Sequence, residues 1–534
     1  MTAFAGLVLA AVLFKLLGHQ WFTPLSVAAA AALLLWRGTA AAADNRQREA
    51  IERFLLQLGV LIYALSNQDP SYHEHVALAL CLVPALPRLR QLGTVSVAEG
   101  SVLLLLGYTA WSLAWTSQMA MSLSGVLMST LCLVYLAAFV AWHGGDLRRV
   151  FGQVLLVLTA LLVGSFVVGG MGHGAAGKTF SGVTLHRNQL GFLLGVMILL
   201  CLFELRERWR LWPALGGLTA AGLLVYIDSK SAIIAVTLAL LLFLVISAQH
   251  WKRYLTRFVV VLVGVAAALP EPRMDNFALW MGRDPTFTSR TDIWADSLRL
   301  AAQQPFTGYG YNAVWSAHEN SLSQFPDAPG PRYAHAHNAW IDWVLQLGIG
   351  GLLVYGLFLG VLLRRAWTLG RGAPAWQAVA LVFYIQVYDL ANVSTVPLTR
   401  FGFFMLAITT LCLWLAPGGV PARRFAGFIG PPAAAALEPQ GPLGAPGIAR
   451  WRQGVQAAAW AGVAFLAMSA YAIWDDGRRF AAADKPGQPA PKGVAEAGYV
   501  QPGEFQWKTA DKLRDYQRRH HEGLMQQLQR SEQP

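Results

Sequence analysis

Apolar runs long enough to cross a lipid bilayer recur along this chain, among them residues 119–142, 150–170, 231–249 and 338–363. No water inside a bilayer can satisfy backbone N–H and C=O groups, so a spanning segment must be a helix or part of a closed barrel. An apolar run of about eighteen residues or more is typical of a transmembrane helix. Charged residues make up 13% of the chain, against roughly 25% in soluble domains. The sequence therefore predicts an all-α polytopic integral membrane protein.

The polar breaks between these runs alternate in charge. Segments rich in Lys and Arg, such as 148–149, 206–210 and 364–371, lie two spans apart, and the intervening breaks are poorer in basic residues. Short basic loops stay in the cytoplasm. A single orientation places all of these basic segments in the cytoplasm, with the N-terminus inside and the long loop 271–337 outside. We expect about 12–15 transmembrane helices, of which those at 54–66 and 76–86 are the shortest.

The runs and breaks divide the chain into six parts. These are N-terminal transmembrane helices (1–270), the large periplasmic loop (271–337), C-terminal transmembrane helices (338–416), a Pro/Gly/Ala-rich linker (417–454), an additional expected transmembrane helix (455–473) and a polar tail (474–534). The first apolar stretch has no basic n-region and is followed at once by a second, 24–36, so we interpret it as a retained anchor hairpin.

The net charge of +12 would suggest a nucleic-acid partner in a soluble protein. In a polytopic protein it reflects basic cytoplasmic loops, and no nucleic-acid-binding signature is present. The four cysteines all lie inside apolar runs without a metal-binding spacing, which favours a packing role. We expect no nucleic acid and no cysteine-bound metal.

The outer loop contains a helix followed by a tight turn. In "TSRTDIWADSLRLAAQQPFTGYGYNAVW", Ser289 and Asp292 resemble a capping box, and Pro305 with Gly308 and Gly310 ends the helix. The residues expected on its apolar face are Ile293, Trp294, Leu298, Ala301 and Ala302. The ten aromatic residues in 271–337 give this loop enough apolar surface to fold against the membrane helices.

Arg290 lies in the first turn of this helix, where a cation opposes the helix dipole. Two interpretations stay open. Arg290 is either a solvated surface arginine or a positive group that points, together with free helix N–H groups, at an anion.

The segment Ala334–Asn338 reads Ala-His-Ala-His-Asn and leads into a long apolar helix. His335 and His337 would share a face of an extended strand, as zinc ligands do, but no third ligand is evident and we predict no metal site. Asn338 is a good N-cap for a helix that begins at Ala339. His337 is either an interfacial histidine with a wet tip or a neutral imidazole that takes a proton from an attacking hydroxyl.

These motifs together resemble those of the O-antigen ligase and O-antigen polymerase superfamily. The matching residues are His337-Asn338, Ile341, Val344, Gly348-Ile349 and Gly351, the upstream Arg290, Trp294, Pro305 and Gly308-Tyr309-Gly310, and the "SGVTLHRNQLG" segment at 181–191. The resemblance covers roughly residues 90–415. Ile341 and Val344 stand where leucines are usual, and the chain beyond about 417 has no counterpart in the motif set.

The resemblance implies a glycosyltransferase-C-like fold and a multi-pass enzyme of the bacterial inner membrane whose active site faces the periplasm. Such a ligase moves O-antigen glycan from undecaprenyl pyrophosphate to a lipid A–core sugar hydroxyl with inversion, using no metal or other cofactor. Its expected partners are the lipid-linked glycan, the lipid A–core acceptor and membrane lipids. The superfamily also contains O-antigen and exopolysaccharide polymerases and protein O-oligosaccharyltransferases, which the motifs do not separate. We favour the ligase.

The same resemblance assigns roles to individual residues. Arg187 and Arg290 would stabilise charge on the leaving phosphate, because guanidinium forks match phosphate geometry. His337 would act as the base, which suits a group that titrates near neutral pH, or would orient the acceptor hydroxyl. The weaker candidates for binding pyrophosphate or glycan are Lys178, Asn338, Arg332 and Asp389.

Structural interpretations compete with some of these roles. Arg187 is equally well explained as an arginine at the membrane interface, with its aliphatic stem against apolar surface and its guanidinium in water. Asp389, an ionisable residue in a late span, is a functional hypothesis by default. It faces a cavity near the outer end of the span or pairs with an arginine there.

Two other classes of protein account for only part of this pattern. A transporter of lipid-linked sugars would carry repeats, broken helices and midplane charges, whereas charges inside the spans are few (Lys15, Glu99 and Asp389). An assembly factor would account for the aromatic loop but not for Arg187, Arg290 and His337 together.

Overall fold

The computed structural model describes residues 2–415 apart from 18, 41–44, 66–71, 93–96, 117, 171–179, 248–254, 258, 260–289, 316–334 and 370–372. All of them belong to the first of two compact units, Met1–Gln440. The second unit, Gly441–Pro534, lies outside the described residues. The expected linker at 417–454, span at 455–473 and tail at 474–534 therefore lie outside as well, as do Lys178 and Arg332.

The described residues form α-helices joined by turns and short 3-10 helices, without a strand. The α-helices are α1 (Thr2–Leu17), α2 (His19–Ala40), α3 (Asn45–Leu65), α4 (Tyr72–Leu82), α5 (Val97–Trp111), α6 (Met119–Trp142), α7 (Leu147–Gly170), α8 (Arg187–Glu207), α9 (Leu211–Tyr226), α10 (Lys230–Ser247), α11 (Arg290–Gln303), α12 (Ala339–Thr368), α13 (Ala373–Asp389) and α14 (Phe401–Leu415). Five of them, α6, α7, α8, α10 and α12, contain windows long and apolar enough to cross a membrane. The prediction of an all-α, multi-pass membrane protein is confirmed.

Loops that are far apart in the sequence meet at one end of the helix bundle, which we call the site end. Lys15 lies in the last turn of α1, and its Nζ donates to the carbonyl oxygen of Thr184 at 2.9 Å. The backbone N–H of Ala339 donates to the carbonyl oxygen of Asn392 at 3.0 Å. In the first turn of α8, Nδ2 of Asn188 donates to Oδ1 of Asn392 at 3.5 Å, so the start of α8, the start of α12 and the loop after α13 are joined.

The opposite end of the bundle gathers segments that the charge pattern groups together. Arg148, at the start of α7, forms ion pairs with Glu207 at 3.0 Å and with Glu204 at 3.6 Å near the end of α8. Segments expected to share one side of the membrane therefore share one end of the fold, which agrees with the predicted alternation of loops.

The run 338–363, expected to be one span, contains a break. Gly348 lies within α12 in a non-helical conformation, with φ of 65° and ψ of −169°. The twenty residues 349–368 after the break form a helix about 30 Å long, which is sufficient to cross a bilayer. Residues 339–347 form a separate short helix, in which Asp342 and Gln346 are buried against protein.

The turn after α11 satisfies the backbone groups that this break releases. The N–H groups of Tyr309 and Gly310 donate to the carbonyl oxygens of Leu345 and Gln346 at 3.1 and 2.9 Å. In return, the N–H of Ile349 donates to the carbonyl oxygen of Pro305 at 2.8 Å. An unpaired backbone group at this depth would cost several kcal/mol, so the turn and the broken helix stabilise each other.

Glycines at this junction are required by both conformation and space. Gly308 has φ of 63°, and a Cβ there would lie 2.5 Å from the backbone carbon of Gln346. A Cβ on Gly348 would lie 2.3 Å from the backbone of Phe306. The Pro-x-x-Gly-x-Gly and Gly-Ile-x-Gly motifs are thus the two halves of one backbone junction.

The helix predicted in the outer loop is present as α11 and packs against α12. Ile293 and Ala301 are buried, as the pattern predicts. Ala302 is exposed, however, and Leu300 is buried in its place. The buried face is therefore turned by about a quarter of a helical turn from the predicted face at its C-terminal end.

Candidate active site

The two histidines of the Ala-His-Ala-His-Asn segment lie at the site end, immediately before α12. The Oδ1 of Asn338 accepts from the backbone N–H groups of Trp340 at 3.0 Å and Ile341 at 3.2 Å, so the predicted helix cap is confirmed. His337 has φ of 55°, in the left-handed region that side chains rarely adopt. Its ring centroid lies 4.2 Å from that of His335, with the two planes at 68°.

Ala336, between the two histidines, is held through both of its backbone groups. Its N–H donates to Oδ1 of Asp342 at 3.2 Å, and its carbonyl oxygen accepts from Nε1 of Trp294 at 2.9 Å. The same Asp342 oxygen accepts from Nε1 of Trp315 at 2.7 Å. These contacts hold the backbone next to His337, whose left-handed conformation would otherwise relax.

The loop between α13 and α14 connects the elements of the site. Three consecutive carbonyl oxygens of this loop accept hydrogen bonds. The carbonyl oxygen of Ala391 accepts from Nη1 of Arg290 at 2.5 Å, and that of Asn392 accepts from the backbone N–H of Ala339 at 3.0 Å. The carbonyl oxygen of Val393 accepts from Nη1 of Arg400 at 3.1 Å. Two guanidinium groups and the start of α12 are therefore positioned by the same short stretch of backbone.

Asp389 holds this loop in place. It is the last residue of α13, and its carboxylate accepts from the backbone N–H and the hydroxyl of Ser394, both at 2.7 Å, and from the hydroxyl of Thr395. It does not line the cavity described next. The carboxylate thus lies at the end of its helix and binds the following turn.

A cavity of about 80 Å³ opens among these elements. The polar residues that line it are His186, Asn188, Gln189, His335, His337, Tyr388, Asn392, Ser394 and Arg400. The lining residues include no carboxylate. The surface of the cavity therefore presents hydrogen-bond donors and one guanidinium, which suits an anion or a sugar oxygen.

The imidazoles of the site are neutral at neutral pH. Burial, followed by the charges of Arg290, His186 and Arg400, lowers the pKa of His337 to about 4. Burial and the charge of Arg400 hold the pKa of His335 well below its usual value. The expectation that His337 titrates near neutral pH is therefore wrong, because a desolvated ring beside guanidinium groups resists protonation.

The two arginines predicted for the site lie beside this cavity. Arg290 is the first residue of α11 and reaches the carbonyl oxygen of Ala391. Arg187 is the first residue of α8 and directly follows His186. The pKa of His186 is lowered by desolvation and then by the charges of both arginines. The structure thus brings Arg187, Arg290 and His337 to one region, although the two arginines do not line the cavity.

Two residues of the site, Arg400 and His186, were not found from the sequence, although both line the cavity. One signal for Arg400 was available, because a lone arginine directly before an apolar run is a costly residue to bury. His335 and Asn392, which the sequence marks as a possible metal ligand and as part of the polar edge next to Asp389, also line the cavity.

Comparison with known proteins agrees with the resemblance carried by the motifs. Residues 215–356 match the family model of the O-antigen ligase. A similar protein is "Exopolysaccharide production protein ExoQ" of Rhizobium meliloti (strain 1021), which is 25% identical over 243 residues. That match covers 42% of this chain and 55% of the relative, so the chain spans about half of the relative's length. Over these residues the chain resembles the O-antigen ligase family, and its apolar helices are those of a multi-pass membrane protein.

Proposed function

We propose that this O-antigen ligase-like chain is a glycosyltransferase at the periplasmic face of the bacterial inner membrane. It moves a glycan from undecaprenyl pyrophosphate to a sugar hydroxyl of lipid A–core. One observation carries the proposal. The segments around residues 187 and 337 line one cavity at the site end of the bundle, and Arg290 lies close enough to lower the pKa values of His186 and His337.

Arg187 and Arg290 act on the leaving group. When the bond between the anomeric carbon and the phosphate oxygen breaks, its electron pair stays on the diphosphate. Guanidinium groups stabilise that charge. Arg290 suits this role because its Nη1 is already held by the carbonyl oxygen of Ala391, which fixes the direction of the side chain. The N-terminus of α11, where Arg290 lies, adds a positive helix end.

His337 acts on the acceptor. Its Nδ1 is buried and makes no hydrogen bond with the part of the chain that the structure describes. A neutral imidazole with a vacant nitrogen can accept the hydrogen of a sugar hydroxyl and orient its oxygen toward the anomeric carbon. The oxygen attacks on the face opposite the departing diphosphate, which inverts the anomeric centre. The hydroxyl proton passes to His337.

Binding of the donor makes His337 a better base. Part of the fall in its pKa is due to the charge of Arg290. A diphosphate beside Arg290 compensates that charge, so the pKa of His337 rises when the donor is present. The imidazole thus becomes a more effective proton acceptor in the complex than in the free enzyme.

A second candidate is polymerisation of a polysaccharide. The relative from Rhizobium meliloti is named for exopolysaccharide production. A polymerase would use the same leaving group with a second lipid-linked glycan as the acceptor. A protein O-oligosaccharyltransferase would instead transfer the glycan to an exported protein. A transporter of lipid-linked sugars is less well supported, because the polar groups gather at one end of the bundle.

Deletion of the gene in its host, followed by analysis of lipopolysaccharide, separates these activities. A ligase is indicated by loss of all capped chains with accumulation of polymerised lipid-linked glycan. Single-repeat caps indicate a polymerase. Unchanged lipopolysaccharide with unglycosylated exported proteins indicates an oligosaccharyltransferase.

Complementation with variants then tests the site. We expect His337→Ala and Arg290→Ala to be inserted and abundant but inactive. Arg299→Ala is the matched control, because Arg299 lies on the same helix and is paired with Asp296 at 3.5 Å. Near-normal activity of either site variant removes that residue from the mechanism.

A further inference from the structure

Arg400 is the one guanidinium among the residues that line the cavity. It precedes the first residue of α14 and is 6% exposed. Its Nη1 donates to the carbonyl oxygen of Val393, which fixes the side chain at the cavity. Phe401 and Gly402, the first residues of α14, line the same cavity, so the positive end of that helix lies there too.

A second, independent donor lies in the same wall. Asn392 is 4% exposed, and its Nδ2 is buried without a hydrogen-bond partner among the residues that the structure describes. A buried donor left unpaired costs about 1–3 kcal/mol. A ligand that accepts a hydrogen bond at this position would remove that cost.

Asn392 forms a hydrogen-bond chain with Asn188 and Ser229. Ser229 donates its hydroxyl to Oδ1 of Asn188, and Nδ2 of Asn188 donates to Oδ1 of Asn392, each at 3.5 Å. In this arrangement the oxygen of Asn392 is occupied and its NH₂ group is the vacant end.

The size and charge of the cavity select the ligand. Its volume of about 80 Å³ equals the space of about two or three water molecules. A phosphoryl group fits this space. The lining residues include no carboxylate to repel an anion, and the nearby imidazoles of His335 and His337 are neutral because their pKa values are lowered.

We propose that the cavity is a phosphoryl pocket in which Arg400 and the amide of Asn392 bind the phosphate that is joined to the sugar. This inference rests on the proposed function. His337 lines the same cavity, so the bond that breaks lies close to the imidazole. Arg187 and Arg290, beside the cavity, then contact the lipid-side phosphate. The two phosphates are bound by different residues, and the site selects a lipid diphosphate over a monophosphate.

Direct binding measurements test whether the two phosphates are bound by different residues. Full-length protein in detergent micelles is titrated with undecaprenyl pyrophosphate, and the midpoint of thermal unfolding is followed. Asn392→Asp has the shape of the natural side chain and places a negative charge in the pocket, and Arg400→Gln removes the guanidinium. We expect each to weaken binding by about tenfold or more, because hydrogen bonds to charged groups are strong.

Gln118→Glu is the matched control for the added charge. Gln118 precedes the first residue of α6 and does not line the cavity. A carboxylate at a helix N-terminus is well tolerated there. We expect the affinity of this variant for undecaprenyl pyrophosphate to equal that of the natural protein.

Three further probes separate the sources of the phosphoryl group. We expect inorganic pyrophosphate to compete with the lipid diphosphate, undecaprenyl phosphate to bind at least about tenfold more weakly, and phosphatidylglycerol not to compete. Phosphatidylglycerol binding as tight as that of undecaprenyl pyrophosphate would identify a general headgroup site and overturn the proposal.

The outcomes distinguish this inference from the proposed function. Unchanged affinity in folded Arg400→Gln and Asn392→Asp, together with weakened binding by Arg290→Gln, overturns the phosphoryl pocket alone. If Arg400→Gln does not fold, the affinity of Asn392→Asp for undecaprenyl pyrophosphate alone tests the phosphoryl pocket. A natural protein that binds no lipid diphosphate and transfers no glycan overturns both.

Discussion

Trp294 donates its indole N–H to the carbonyl oxygen of Ala336 at 2.9 Å, and so fixes the residue that lies between the two histidines of the site. Trp294 lies about one helical turn after Arg290 on α11. A single helix therefore positions both the guanidinium that reaches Ala391 and the backbone that carries His337 in its left-handed conformation. This arrangement gives a physical reason for the Arg…Trp spacing in the motif.

We predict that Trp294→Phe lowers glycan transfer by about tenfold while the protein remains abundant in the membrane. The change keeps most of the side-chain volume and removes one hydrogen bond, worth about 1 kcal/mol, at a backbone that must stay in a strained conformation. Trp115→Phe is the control, because Nε1 of Trp115 donates to the carbonyl oxygen of Thr307, away from the histidines. Equal losses from both variants, measured with purified protein, would show that Trp294 has no specific role.

Asp389 is predicted to act through the geometry of its loop. Its carboxylate accepts from Ser394 and Thr395, and an asparagine at this position can keep the same contacts because a hydroxyl also accepts hydrogen bonds. We expect Asp389→Asn to keep activity within about tenfold of the natural protein, and Asp389→Ala to lose about a hundredfold or more.

Transfer assays at matched protein levels measure this difference. If Asp389→Asn is as inactive as Asp389→Ala, the negative charge itself is required, and the interpretation of Asp389 as a residue that holds the loop is wrong.

Features of this fold that depend only on residues close together in the sequence could be predicted from it. The spanning runs, the helix that begins at Arg290 and the Asn338 cap follow from apolar periodicity and turn chemistry within a few residues. Arg290 and His337 stand out by their positions, in the first turn of a helix and before an apolar segment, and the motif resemblance assigned their roles. The structure places them near each other.

The organisation of the site could not be predicted because it depends on contacts between distant segments. The bond between Arg290 and Ala391 joins residues 101 positions apart, and that between Asn188 and Asn392 joins residues 204 apart. Arg400 gave no periodic signal of its own. The lowered pKa of His337 depends on burial and on charges that converge only in the folded chain.

Gly348→Ala is expected to destabilise the protein by about 2–4 kcal/mol, since it combines a left-handed backbone with overpacking. The new Cβ would lie 2.3 Å from the backbone of Phe306, which cannot move without breaking the junction with the turn after α11. Gly360→Ala on the same helix is the control, because a Cβ there meets nothing within 4 Å. Thermal unfolding in detergent compares the two, and a Gly348→Ala midpoint equal to that of the control would contradict the proposed junction.

The pH dependence of transfer is predicted from the pKa of His337. The imidazole must be neutral to accept the hydroxyl proton, and activity is lost as the pH falls through its pKa. Because that pKa is about 4 in the free protein, kcat/KM should stay nearly constant from pH 8 to pH 5.5. A histidine with the ordinary pKa of about 6.5 would lose about tenfold at pH 5.5.

Donor binding should shift this profile in a defined direction. The diphosphate compensates the charge of Arg290, which raises the pKa of His337 in the complex, so the acid limb of kcat should lie at higher pH than that of kcat/KM. Thermal unfolding at each pH serves as the control for loss of folded protein. Identical limbs near pH 6.5 in both parameters would show that the imidazole is neither desolvated nor coupled to Arg290, and His337 would lose its assignment as a neutral proton acceptor beside the leaving group.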